Sequence, residues 1–328
     1  MAIGNTSYAT LATTTLDNYA NEIFDAVVTN NATLNMLKKA GNIKVSSGGT
    51  AFTHPVYYQK NNTFGAISKY GTIPTDLQDP VTRAKYEIKV LAGSCVYSMV
   101  EEAMNAGNKE KMIDYVETLK MDAETSMSEL MGDQLFTLES AIGADDMDSI
   151  DFIISSDASV STANCGAISA YSAAGADFWE PYMHSTTSFS SAGSNGGLES
   201  MDQVINNSTF GRQGPTFVIT TAAMFTYYGA LLQANVRYSQ ANLEGGNAGF
   251  RNLMYANIPV MIDTNCTANT MYFIDGNALK LQVLSQGNMK ITSMQQAYSQ
   301  LMGRAILYLL GNLTCGSRRT QGRLRRDG

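Results

Sequence analysis

The side chains that could do chemistry are few, and no known pattern places them for a reaction. The chain has four cysteines, Cys95, Cys165, Cys266 and Cys315, and two histidines, His54 and His184. None of the cysteines forms a Cys-x-x-Cys pair, the close spacing from which a zinc site draws its ligands. Neither histidine has a Gly-x-Ser-x-Gly or His-Glu-x-x-His context. Asp145-Asp146-x-Asp148-x-x-Asp151 clusters carboxylates, but it lacks the Gly and the distal Glu of a calcium loop and reads as a solvated turn. Gly245-Gly246-Asn247-Ala248-Gly249 lacks the Lys-Ser/Thr of a phosphate-binding loop and the spacing of a dinucleotide fingerprint, and reads as a flexible loop. The expectation is no catalytic residue, no metal and no cofactor: not an enzyme.

The elements around these residues carry more information. At 328 residues the chain can bury a sizeable core, as one large domain or two. Only 16% of residues are charged. A polar, weakly charged surface suits a protein buried against partners, and a secreted binding protein equally. The net charge of -7 argues against nonspecific nucleic-acid binding by the whole molecule. Four scattered cysteines read as free buried thiols rather than a disulfide framework. The first five residues show no basic or apolar signal region, and the apolar run at 305–310 is too short to span a bilayer, so neither secretion nor a membrane is expected.

Residues 1–47 are polar, with a helix predicted over 21–38 by the spacing of Ile23, Val27, Val28, Leu34 and Leu37; the Asn30-Asn31 pair breaks it. Residues 48–100 read as β-ribbon. Phe52, His54, Val56 and Tyr58 alternate with Thr53, Pro55, Tyr57 and Gln59, and Tyr86, Ile88 and Val90 alternate with Lys85, Glu87 and Lys89. Between the runs lies a long excursion, 61–83, poor in apolar residues; such loops are functional or mobile. The clearest helix is predicted over 108–139, capped by Asn108, with Met112, Val116, Leu119, Ala123, Met127 and Leu130 on one stripe and Gln134 interrupting it. About 32 residues make ~48 Å, the length of a spine. Residues 142–200 read as irregular structure with short strands, and Trp179 there as a core or strand-edge aromatic. A short helix over 202–207 precedes a strand over 216–220, which runs straight into a helix. The Gly-rich loop follows, then a second strand over 258–263. Asp275-Gly276-Asn277 between apolar runs predicts a hairpin. The chain ends in a strand and a basic tail holding half of its arginines.

Three blocks, in this order, resemble the major capsid proteins of tailed phages with the HK97 fold. The first is the long loop flanked by ribbon strands and followed by a long helix. The second is Phe217-Val218-Ile219-Thr220 through Met261-Ile262-Asp263, with Arg237-Tyr238 and Gly249-Phe250-Arg251 between. The third is Leu309-Leu310-Gly311-Asn312-Leu313-Thr314-Cys315, then Arg318-Arg319 and Gln321-Gly322. The resemblance implies an α+β, HK97-like capsid fold. Its parts would be an N-terminal arm (1–47), an extended E-loop ribbon with flanking strands (48–100), and a P-domain spine helix with the irregular segment after it (101–200). An A domain (201–283), a mixed sheet flanked by helices, would follow. Residues 284–328 would return to the P domain with a closing strand and a basic C-terminal tail.

It further implies a subunit that self-assembles into the pentamers and hexamers of an icosahedral shell around double-stranded DNA, in the bacterial host cytoplasm and then the virion. Its partners would be its own copies, a portal, a decoration protein, packaged DNA through nonspecific interior contact, and a separate scaffolding protein, since the segment before the loop is short and weakly charged. Extended arms and loops bury little alone and much in an assembly, which couples folding to association. The sites are then interfaces: Lys60, Lys69, Asp76, Asp79 and Arg83 around the loop, Glu244 and Arg251 near a symmetry axis, Asn312, and the tail residues Arg318, Arg319, Arg323, Arg325 and Arg326. For the tail, salt bridges between subunits rank first, a solvated tail second and DNA third. Some members join an E-loop Lys to a P-domain Asn by an isopeptide bond, here Lys60 or Lys69 to Asn312. Two alternatives stand beside this: an encapsulin-type compartment shell of the same fold, and a secreted β-rich binding protein, which the missing secretory signal disfavours.

Overall fold

The computed structural model describes residues 31–100, 109–155, 165–168, 178–187, 189, 196–232, 253–292, 295–296 and 301–327. The arm before residue 31, the cap at Asn108, and the Gly-rich loop with Glu244 and Arg251 lie outside the described residues.

Asn31 opens helix α1 (Ala32–Lys39), its side chain accepting from the Thr33 and Leu34 amides at 3.0 and 3.1 Å. The residue read as a breaker is an N-cap, because a short polar side chain that competes with helix interiors also satisfies helix starts. β1 (Ile43–Ser46), the ribbon strands β2 (Ala51–Tyr57) and β3 (Val81–Glu87), and β4 (Lys89–Ser98) follow. Helix α2 spans Lys109–Leu135, shorter than predicted. Its end tightens, with Phe136 N bonding Asp133 O at 3.2 Å, and the Gln134 side chain holds the following loop through Asp146 Oδ1 (3.2 Å) and Met147 N (3.3 Å). Met127, Met131 and Leu135 are buried at successive i+4 positions, whereas Leu130 is 37% exposed. The predicted stripe is corrected there: the helix packs through an i±4 ridge.

The remaining elements are α3 (Ile150–Ile154), β5 (Tyr182–Thr186), α4 (Gly197–Ser208), β6 (Phe217–Thr220), α5 (Ala222–Leu232), β7 (Leu253–Tyr255) and β8 (Ile258–Ile262). After them come β9 (Thr270–Ile274), β10 (Leu279–Leu284), β11 (Lys290–Ile291), β12 (Gln295–Gln296), β13 (Met302–Cys315) and β14 (Gly322–Arg326).

Two six-stranded sheets organise them. In the first, β13 is the hub. β4 runs antiparallel along its residues 302–311, β10 pairs residues 311–315, β11 and β12 pair residues nearer its start, and β1 lies parallel beside β10. At Gly311 a Cβ would sit 2.7 Å from the Gln282 carbonyl oxygen, so the close approach of β10 requires glycine. The second sheet has the order β5-β14-β9-β6-β8-β7. Both its faces are covered, which is why β6 and β9 are buried at every position. Phe217, Ile219, Tyr272 and Ile274 face the larger core with Leu34, Met131, Leu135 and Ile150. Val218, Met271, Phe273 and Leu324 face α4 and α5 through Met201, Val204, Met224 and Phe225.

Two expectations are corrected here. Asp275-Gly276-Asn277 is not a hairpin turn: β9 lies in the second sheet and β10 in the first, so the turn carries the chain between sheets. A local Asp-Gly pattern specifies a reversal, but a fully buried strand and a half-buried one find different partners. The basic tail is not frayed either. β14 sits between β5 and β9, parallel to one and antiparallel to the other.

Candidate functional site

The β2–β3 ribbon is a two-stranded sheet in register from Ala51↔Glu87 to Tyr57↔Val81. One face is pinned to the core by Phe52, Val56, Ala84 and Tyr86, while Thr53, Pro55 and Arg83 on the other are exposed. Beyond it, residues 58–80 contain no helix or strand and are almost all exposed. Their apolar side chains point outward: Phe64 is 85% exposed, Tyr70 89% and Leu77 100%. Lys60, Lys69, Asp76, Asp79 and Arg83 are all exposed, and none makes an ion pair among the described residues. Lys69 instead lies over the Tyr70 ring, 5.5 Å from its centroid.

A cavity of about 230 Å³ lies between β4 and α2, lined by Gly93, Val96, Leu119, Met127, Leu130 and Leu307 among others. Gly93 leaves it open, since a Cβ there would meet nothing within 4 Å.

The tail arginines divide. Arg318 is fully buried, donating from Nε to Ile153 O and from Nη2 to Ser155 O, both at 2.6 Å. It completes the carbonyls at the end of α3, where a cation is favoured. Arg323 pairs with Asp151 at 2.8 Å inside the chain. Arg319 lies over the Phe210 ring at 4.1 Å, and Arg326 over Tyr227 at 4.5 Å. Arg325 is exposed, 3.3 Å from Asp327. Arg318 and Arg323 thus bond within the chain, while the buried Nη1 of Arg318 has no hydrogen-bond partner among the described residues.

Asn312 is fully buried. Its Nδ2 donates to Glu87 O (2.8 Å) and Asp148 Oδ2 (3.0 Å), and its Oδ1 accepts from Asp148 N (2.9 Å). Its amide is thus engaged, and neither Lys60 nor Lys69 of the same chain is among its partners. Burial raises the Asp148 carboxyl to about 6, offset in part by the Asn312 amide and the nearby Lys89.

Sequence reasoning missed Asp151, read as part of a solvated turn. It is buried and accepts from Tyr272 Oη (2.7 Å), Arg323 Nη1 (2.8 Å) and Glu139 N (3.2 Å). The signal was present: an acid inside Ile-Asp-Phe-Ile-Ile, an apolar run. Gln321 was missed too. It accepts from Asp275 N at 3.0 Å and donates to Asp275 O at 3.3 Å, tying together the two crossings between the sheets.

Among the described residues no group of three or more His, Cys, Asp or Glu side chains is placed to hold a metal. Burial raises the Cys165 thiol and lifts Cys315 to about 12, away from the range of a nucleophile. Trp179 is in the core, its Nε1 donating to Cys165 O at 3.0 Å.

No family profile matches the sequence, and no curated protein matches it. Solved structures match along almost the whole chain. The capsid asymmetric unit of cyanophage A-1(L) gives a TM-score of 0.64 at 16% identity, covering 89% of this chain and 92% of that one. The holo-SrpI encapsulin complex from Synechococcus elongatus gives 0.55 at 6% identity, over 88% and 86%. The capsid of an empty GTA particle gives 0.54 at 12% identity, over 88% and 95%. The chain has the HK97-like capsid fold.

Proposed function

We propose that this chain is the major subunit of a closed icosahedral shell of the tailed-phage type, acting by assembly rather than by catalysis. One observation carries the reading: a chain with this fold extends a loop whose Phe64, Tyr70 and Leu77 are 85, 89 and 100% exposed. Monomers rarely leave such side chains in water along one segment without a partner to cover them. A second copy supplies the cover, and the groove between β4 and α2 is a surface of matching chemistry. Pentamers and hexamers, a scaffolding protein and portal during assembly, a decoration protein, double-stranded DNA inside, assembly in the host cytoplasm and residence in the virion belong to the same reading. In it Lys60, Lys69, Asp76, Asp79, Arg83, Arg319 and Arg325 serve contacts between subunits.

A compartment shell holding protein cargo is the second reading, supported by the likeness to an encapsulin complex. Electron microscopy of the purified protein tests both. Closed shells are the expected result, and a particle that stays monomeric at every concentration and salt overturns both readings. Nuclease-protected DNA inside particles from the native source favours the first reading, and protein cargo the second.

A further inference from the structure

One cluster of cations on the first sheet has no counter-charge among the described residues. Lys44 on β1 sits opposite Gln282 on β10, a strand on which Lys280 shares the face of Gln282 while Leu279 and Leu281 turn to the core. Lys44 and Lys280 therefore lie diagonally on one face of adjacent strands, and the Lys44 charge bears on Lys280. His54, from the ribbon, reaches the same place, its Nε2 3.2 Å from Gln282 Nε2. Burial and then Lys280 and Lys44 lower the His54 pKa, and burial and then Lys44 lower that of Lys280. No carboxylate among the described residues pairs with Lys44 or Lys280, and none acts on His54.

We propose that Lys44, Lys280 and His54 form a binding site for a phosphate group. Two ammonium groups side by side repel, and an anion between them reverses the sign of the interaction. A carboxylate answers one cation, whereas a phosphate carrying up to two negative charges answers both and accepts hydrogen bonds on several oxygens. Lysine, a compact charge with three rotatable donors, suits such a ligand. Gln282 fixes the imidazole: its amide donates to Nε2 of a neutral His54, leaving Nδ1–H as a further donor. Free phosphate and a nucleic-acid backbone offer the same chemistry. The site lies within one chain and does not rest on the shell reading.

The unassembled full chain is melted in rising inorganic phosphate, with sodium chloride at matched ionic strength as control, beside the Lys44→Gln/Lys280→Gln double variant. Phosphate is expected to raise the parent's Tm by several degrees more than chloride does, and to leave the variant unmoved. In low salt without phosphate the variant is expected to melt at or above the parent, because a repulsion is gone. Should the double variant not melt cooperatively, Lys280→Gln alone carries the comparison. Fluorescence anisotropy with a short DNA duplex separates the sources: binding about tenfold weaker in the variant assigns the nucleic-acid backbone, and unchanged duplex binding beside a lost phosphate response assigns the free anion. Equal effects of phosphate and chloride on the parent, or of phosphate on parent and variant, overturn the proposal.

Discussion

Asp151 and Arg323, distant in sequence, meet at 2.8 Å between α3 and β14, and the Asp151 oxygen that Arg323 uses also accepts the Tyr272 hydroxyl at 2.7 Å. Three segments of chain converge on one carboxylate that is 3% exposed. Burial, then Asp151, push the Tyr272 phenol far up, so it stays a neutral donor.

Asp151→Ala leaves a partly buried guanidinium and a buried hydroxyl without their acceptor and is expected to cost about 3 kcal/mol. Asp151→Asn keeps an acceptor for Tyr272 and costs less, and Tyr272→Phe costs about 1 kcal/mol. Urea denaturation of the unassembled chain reads all three. An alanine variant as stable as the parent would show that the carboxylate is dispensable.

The end of the chain is structural. A chain stopped before Gly322 loses β14 from within the second sheet, leaving β5 without a strand partner and one edge of β9 open. It is expected to give no cooperative melt. Arg318→Ala deprives the Ile153 and Ser155 carbonyls of their donor and costs about 1–3 kcal/mol. Arg325→Ala, at an exposed position, leaves the melting midpoint unchanged. Circular dichroism melts of the three variants suffice, and a truncated chain that melts like the parent refutes the assignment.

Asp148 makes stability depend on pH. Its folded pKa, about 6, lies above the 3.8 of a free aspartate, so the folded state holds the proton more tightly. The contribution is full below the unfolded pKa and is lost as pH rises through about 6. Two pH units correspond to at most about 3 kcal/mol. Asp148→Asn, which keeps the acceptor for Asn312, is expected to flatten the stability profile between those two values and to stabilise the chain at neutral pH. Urea midpoints across that range measure it, and an unchanged profile counts against it.

The loop separates folding from assembly. Phe64→Ser, Tyr70→Ser and Leu77→Ser alter highly exposed side chains, Tyr70 giving up only the exposed Lys69 over its ring, so the melting midpoint should stay in place. Shell formation, followed by light scattering, should slow or stop. Shells forming at parental rates in all three variants would remove the loop from the interface.

Much of this architecture was legible from pattern. Alternation in 52–58 found one ribbon strand, that in 85–90 ran from the second ribbon strand into β4, which pairs with β13 instead, and the apolar run at 217–220 leading into a helix found the centre of the second sheet. Residue type alone made Trp179 a core or strand-edge aromatic, and the structure has it fully buried. Spacing and polarity report which face of an element is dry, and local turn chemistry reports where the chain reverses.

What the sequence by itself determined, then, was the kind and order of the elements and the absence of a recognisable reaction centre. Only the tertiary structure decided where strands went and which charges were spent. Asp275-Gly276-Asn277 reads as a hairpin, yet Gln321, many residues later, holds Asp275 at a crossing between two sheets. Arg318 reads as a tail cation, yet it is buried on the end of a helix 163 residues away from it at Ser155. The physical reason is common to both. A strand's partner and a cation's acceptor are chosen by burial and geometry over the whole fold, and those terms have no local trace in the chain.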